Sequence, residues 1–219
     1  SPSDLITFME SPFASHMERL RHDDSSISDL MDPEDPMLKV LQQKGFDHEN
    51  SYLEQLKAEG KSVVEIDRAS AHVMRERTRE AMQAGPDVIA QAYLELGKFG
   101  GLADFLVRVP GSSKFGDYKY EVWDTKLSKK MKPYFAIQLC CYAEMLEVEQ
   151  DASVQSVAIV LGSNEVARLR VQDYFAYYKS LKSTFIEFQE NWAPDLDPDP
   201  SESASYGRWS KHAEGILAE

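Results

Sequence analysis

Cysteine is scarce in this chain. There are two, Cys140 and Cys141, side by side. Helix neighbours diverge by about 100°, so a bridge between them is not expected, and the low count fits a reducing, cytoplasmic setting. Long apolar runs are also missing: none approaches the ~20 residues of a membrane span, and no secretory signal opens the chain. A membrane partner is therefore not expected. Positive charge is in deficit, with 24 Lys and Arg against 37 Asp and Glu and a net charge of −13, which argues against non-specific wrapping of nucleic acid. There is no internal repeat and no long low-complexity tract. The chain opens at Ser1 rather than Met, as a processed or truncated chain would.

What is present is globular. Apolar residues make up 42% of 219, enough for one domain that buries about 70% of its unfolded surface. Ser3 is a plausible N-cap for a short amphipathic helix, which Ser11-Pro12 interrupts before a second helical stretch through His16 and Leu20. His16 and His22 have no acidic or thiol partner at ligand spacing and are expected at the surface. Residues 22–36, with Pro33 and Pro36, read as a loop. A helical region follows over 37–60, with Gly60 as its stop signal. Residues 62–67 and 88–94 are strand candidates, separated by a charged helical stretch over 68–85. There Arg75, Arg77 and Arg79 are expected on exposed faces, with internal ion pairing as their commoner fate. Two more strands, 153–161 and 166–171, form a hairpin over Gly162-Ser163-Asn164-Glu165. A long helix over 172–192 carries a 3.6-period stripe of Tyr174, Phe175, Tyr178, Leu181, Phe185 and Phe188, which is expected to be buried.

The most informative stretch lies between. Residues 104–109 and 118–127 are strand-like and flank residues 110–117 (PGSSKFGD), a turn-rich loop longer than the tight two-residue kind. Strand side chains alternate, so Asp124 and Lys126 share a face. An antiparallel hairpin can set the start of one strand beside the end of the next, bringing Asp104 to Asp124 and Lys126. Two carboxylates at one strand end repel each other, and a divalent cation would relieve that repulsion. Lys126, Lys129, Lys130 and Lys132 form a short basic path beside them, with a solvated loop as the alternative for Lys129 and Lys130. Beyond Pro133, a helical stretch over 134–147 puts Gln138 and Tyr142 four apart on one face.

Asp104, Asp124-x-Lys126 and Gln138-x-x-x-Tyr142, in that order, resemble the motifs of the RecB-like branch of the PD-(D/E)xK nucleases. Stretches such as SPSDLITFMESPFASHMERL, KGFDHENSYLEQLKAEG, GLADFLVRV and YEVWDTKLSKKMKPYFAIQLCCYAEML extend the likeness over nearly the whole chain. They resemble a RecB-like subgroup often found as the N-terminal part of longer helicase-bearing proteins. His48, in a Gly-x-x-His pattern upstream, matches the branch's first motif, where the histidine is a metal ligand; Glu49 and Glu54 are expected to be salt-bridging surface residues.

The resemblance implies an α/β restriction-endonuclease-like core, a central mixed β-sheet flanked by α-helices, with a helical N-terminal portion over 1–60. The core would span 61–193 and a tail over 194–219 would pack on it, all within one globular domain. The implied activity is Mg²⁺- or Mn²⁺-dependent hydrolysis of DNA, in repair or processing, beside a helicase module in the same or another chain. His48, Asp104, Asp124 and the Thr125 carbonyl would hold the metal, which polarises phosphoryl oxygens and lowers the pKa of bound water. Lys126 would orient that water and stabilise the developing charge, with Gln138 and Tyr142 contacting the site or bracing the helix on the sheet. Two alternatives are an inactive nuclease-fold module for DNA binding or docking, and a metal-dependent phosphatase.

Some RecB-like relatives hold an iron–sulfur cluster on four cysteines, one in a Cys-Pro pair and three near the C-terminus. Here Ser11-Pro12 stands at the first, and Ala204 and Gly207 stand at cysteine positions of a tail ending Arg208-Trp209. No cluster is expected, and packing around Trp209 is expected to join the terminal segments instead. The purified protein should be colourless, without absorption near ~400 nm and without stoichiometric iron or sulfide, because four thiolates are not available. About four irons per chain in anaerobically prepared protein would contradict this.

Overall fold

A computed structural model of the chain describes residues 1–196 and 198–218; Asp197 and Glu219, both in the expected tail, lie outside the described residues. The chain divides into two compact units, one of Ser1–Pro2 with Lys39–Tyr178, the other of Ser3–Leu38 with Lys179–Glu219.

The first unit is built on a six-stranded mixed sheet in the order β1 to β6. Its strands are β1 (Val63–Glu65), β2 (Val88–Leu96), β3 (Phe99–Ser113), β4 (Gly116–Lys126), β5 (Ser156–Leu161) and β6 (Val166–Arg170). The pairs β1/β2 and β4/β5 are parallel and the other three antiparallel. Parallel neighbours need a crossover, and helices supply both: α4 (Ala71–Ala84) joins β1 to β2, and α5 (Pro133–Gln150) joins β4 to β5. The result is the expected α/β class, a mixed sheet flanked by helices with a helical N-terminal portion, consistent with a restriction-endonuclease-like core. Among the described residues no helix is long and apolar enough to cross a membrane.

Helix α3 (Pro36–Ala58) lays Leu53 and Leu56 on Val88, Ala90 and Phe105 of the sheet, and Tyr52 meets the Phe105 ring edge-on at 5.6 Å. Helix α5 is buried on nearly every side, as expected for a helix that is apolar all round. Tyr178, within the aromatic stripe on α6 (Gln172–Glu190), is fully buried and donates to Glu144 of α5 at 2.5 Å. The arginines of α4 find internal partners where they can. Arg79 forms a two-pronged pair with Glu149 at 2.8 and 3.0 Å, joined by Lys114 at 3.2 Å.

The β3–β4 hairpin departs from the expected long loop. Ser113 pairs with Gly116, which closes a two-residue turn at Lys114-Phe115, and the irregularity moves into the strand between Pro110 and Ser113. Gly111 takes a φ of 147° there, a conformation open to glycine and costly for other residues. The turn formers therefore make a bulge rather than a loop.

In the second unit α1 (Pro2–Glu10) and α2 (Pro12–Asp23) meet the C-terminal segment with α7 (Ser210–Leu217). Trp209, fully buried, packs with Phe13, Ala14, Met17 and Ala213, the expected junction of the terminal segments. Ser11 Oγ donates to Ser203 Oγ at 2.9 Å and Ala204 N to the Glu10 carbonyl at 2.8 Å. His16 corrects the surface expectation. It is 4% exposed, and its Nδ1 accepts from Trp192 Nε1 at 3.0 Å; a distant indole supplies the partner that local spacing did not reveal.

One side chain at the end of α5 completes the sheet. Gln150 is fully buried; its Oε1 accepts from Tyr120 N at 2.8 Å and its Nε2 donates to Tyr120 O at 3.2 Å. The carboxamide acts as a one-residue strand beside β4, ahead of the point where β5 begins to pair at Trp123. Replacing it should leave a buried N–H and C=O unsatisfied. Gln150→Leu is expected to lower unfolding free energy by about 2–4 kcal/mol, measured by chemical denaturation; a loss under about 0.5 kcal/mol would contradict the role.

Candidate active site

The sheet ladder opens at Asp104 and Asp124. Strand β3 pairs with β2 through Ala92↔Ala103 and Ala90↔Phe105, skipping Gln91 and Asp104. It pairs with β4 only from Phe105↔Trp123 onward. Asp104 and Asp124 are the next positions in that register, so Asp104 stands at a gap on both sides. Its carboxylate takes over the role of a ladder acceptor. Thr125 donates to Asp104 Oδ2 through its backbone N at 2.8 Å and its Oγ1 at 2.9 Å.

Asp124 is 6% exposed, with Lys126 Nζ 2.5 Å from its Oδ2. That contact is ionic rather than a well-aligned hydrogen bond, since the buried oxygen has no hydrogen-bond partner by geometry. Burial and the neighbouring Asp104 raise the Asp124 carboxyl well above the usual carboxylate range, against the pull of Lys126. Burial alone would depress the Lys126 ammonium, but the negative charges of Asp124 and Asp104 outweigh it and hold the group protonated. Two acids thus share one cation in a poorly solvated place, where burial and mutual repulsion disfavour the charged form of Asp124.

Tyr142 braces the start of this strand. Its hydroxyl donates to the Leu102 carbonyl at 2.7 Å, two residues before Asp104, and burial together with the Asp124 and Asp104 charges pushes its phenol up. Gly101 permits this approach, because a Cβ there would stand 2.9 Å from the Tyr142 hydroxyl. Gln138, half-buried one turn earlier on α5, has no hydrogen-bond partner in the group among the described residues. His48 donates from Nε2 to the Val160 carbonyl at 3.3 Å. Val160 is the β5 partner of Thr125, so His48 reaches the sheet beside the residue that binds Asp104.

Two residues join the group that the sequence did not assign to it. Glu49, expected at the surface, is half-buried and accepts from Gln91 Nε2. Burial and the charge of Asp104 push its carboxyl up to about 7. Its position was legible: Glu49, Tyr52, Leu53 and Leu56 follow the i, i+3, i+4, i+7 pattern of one helix face, the face that packs on the sheet. Gln91 holds a φ of 55° in mid-strand, at the skipped position opposite Asp104. Its Oε1 accepts from Arg68 Nη2 at 2.9 Å. Nothing in a run reading VIAQAYL announces that conformation.

Among the described residues no three His, Cys, Asp or Glu side chains stand together as a metal-ligating group. The donor chemistry nonetheless suits a hard divalent cation. Both bonds from Thr125 fall on Asp104 Oδ2, which leaves Oδ1 outside them, and the raised carboxyls of Asp124 and Glu49 mark charge that a cation would offset.

The Glu49 shift makes a pH prediction. A carboxyl raised from 4.5 to about 7 on folding favours the folded state below pH 4.5. That contribution is lost as pH rises through 7, because the folded protein binds more protons in between. Glu49→Gln keeps an acceptor for Gln91 and removes the titration. In EDTA, wild-type stability should therefore fall more steeply than that of Glu49→Gln between pH 4.5 and 7; parallel curves would contradict the assignment.

No protein-family model and no curated protein matches this chain.

Proposed function

We propose that this chain is a divalent-metal-dependent nuclease akin to the RecB-like PD-(D/E)xK enzymes, hydrolysing phosphodiester bonds of DNA. The observation that carries the proposal is the meeting of Asp104, Asp124 and Lys126 where β3 and β4 part, with more negative charge than the protein neutralises. Asp104 and Asp124, with His48 and the Thr125 carbonyl, would hold Mg²⁺ or Mn²⁺; bound there, such an ion polarises phosphoryl oxygens and lowers the pKa of water.

The chain's own residues divide the remaining tasks. Lys126 is held protonated, so it serves as a fixed positive charge that orients the attacking water and offsets charge on the phosphoryl oxygens, not as a base. Thr125 fixes the Asp104 carboxylate, and Tyr142 fixes the strand that carries it. Gln138, on the same helix face as Tyr142, would contact the substrate strand. DNA is the proposed partner, and a helicase module in the same or another chain would deliver it. A second reading, a nuclease-fold module that docks without cutting, draws support from the net charge of −13, since such a surface repels a polyanion.

End-labelled single- and double-stranded DNA, incubated with Mg²⁺ or Mn²⁺ beside a chromogenic phosphate ester, separates these readings. Cleavage of the polynucleotide alone is expected; no metal-dependent turnover on either would select the docking module. Asp124→Asn and Lys126→Gln should each lower cleavage by roughly 100-fold or more, the scale of removing one electrostatic stabiliser from a site. The folded state disfavours a charged Asp124, so Asp124→Asn should not lower the melting midpoint at pH 7. A variant that cleaves at the wild-type rate would remove that residue from the catalytic group.

A further inference from the structure

Among the described residues, Arg68 and Arg77 are the arginines without a carboxylate partner at ion-pair distance. Arg77 is exposed on α4. Arg68, just past β1, is also exposed but is held in place by a neutral group, the Gln91 carboxamide at 2.9 Å. Gln91 spends its other end on Glu49. Its backbone keeps a φ of 55° opposite Asp104, a conformation that strands do not adopt and that non-glycine residues keep only where their surroundings impose it. The strained residue thus ties an uncompensated cation to the edge of the acidic group.

A guanidinium has five N–H donors in a planar fork, and one bond to an amide leaves most of them open. Arginine suits phosphate because the fork is rigid, always charged and weakly hydrated. In a chain with 13 more acidic than basic charges, an arginine without a carboxylate at ion-pair distance beside a carboxylate cluster has a use where a polyanion must approach that cluster. Arg68 reaches the group through Gln91, the strand position opposite Asp104, and so stands one residue out from the acids.

We propose that Arg68 binds a backbone phosphate adjacent to the one being cleaved, and that Gln91 is the positioning residue that aims it. The inference deepens the nuclease reading and rests on it. A flanking contact is made equally in the ground and transition states, so its loss raises KM and spares kcat. It also removes one phosphate contact from the salt dependence of binding.

The test compares wild type with Arg68→Ala, Arg68→Lys, Gln91→Met and Arg77→Ala. Cleavage of a DNA oligonucleotide is followed in Mn²⁺, and binding is followed in Ca²⁺ across a salt series. Arg68→Ala is expected to raise KM about tenfold with kcat within about twofold, and to reduce the slope of log K against log salt by about one. Arg68→Lys should recover part of the KM, Gln91→Met should shift KM in the same direction as Arg68→Ala, and Arg77→Ala should match wild type. An unchanged KM and salt slope in Arg68→Ala overturns the proposal, as does an equal effect from Arg77→Ala. A fall in kcat at unchanged KM overturns the flanking placement, and a wild-type KM in Gln91→Met overturns the positioning role. If wild type neither binds nor cleaves a polynucleotide, the nuclease reading falls and this inference falls with it.

Discussion

Repulsion between Asp104 and Asp124 is the constraint on which the rest of the site depends. Two carboxylates on neighbouring strands in a buried place would normally be neutralised or moved apart. Here the Thr125 N–H and hydroxyl bind one of them and Lys126 holds the other, and burial together with the charge of Asp104 still raises the Asp124 and Glu49 carboxyls. Natural sequences keep such conflicts where function needs them. Acids held together in this way are the arrangement on which the proposed cation site rests.

The fold keeps this conflict in place. The acids sit on long central strands, β3 and β4, that are bonded along most of their length and part only at the gap. Helix α5 is clamped at its middle by Tyr142 on the Leu102 carbonyl and at its C-terminal end by Gln150 in the ladder beside Tyr120. Helix α3 is pressed on the sheet by Tyr52, Leu53 and Leu56, and this brings Glu49 to Gln91 and His48 to the Val160 carbonyl. Packing fixes the helices; the helices fix the donors.

Much of this was legible. Period-two and period-3.6 patterns found each strand and most helices, though β3 begins at Phe99 rather than at Asp104, and the alternation of Asp124 with Lys126 put both on one side of β4. The Glu49 position was present in the helical phase but was outweighed by the expectation that a helix glutamate is solvated. What sequence did not carry was backbone detail. A left-handed Gln91 in an apolar strand has no local signature, and Pro110-Gly111 reads equally well as a loop or a bulge. The His16–Trp192 bond joins residues 176 positions apart, beyond any local pattern.

The central claim is that the gap between β3 and β4 is a divalent-cation site. The most direct measurement is unfolding of the wild-type protein and of Asp104→Asn in EDTA and in saturating Mn²⁺. A ligand that binds only the folded state adds about 2.7 kcal/mol at a hundredfold excess over its dissociation constant. The account predicts a gain of that order for wild type and its loss in Asp104→Asn. Equal stability of wild type with and without Mn²⁺, together with no heat of Mn²⁺ binding by calorimetry, would contradict it.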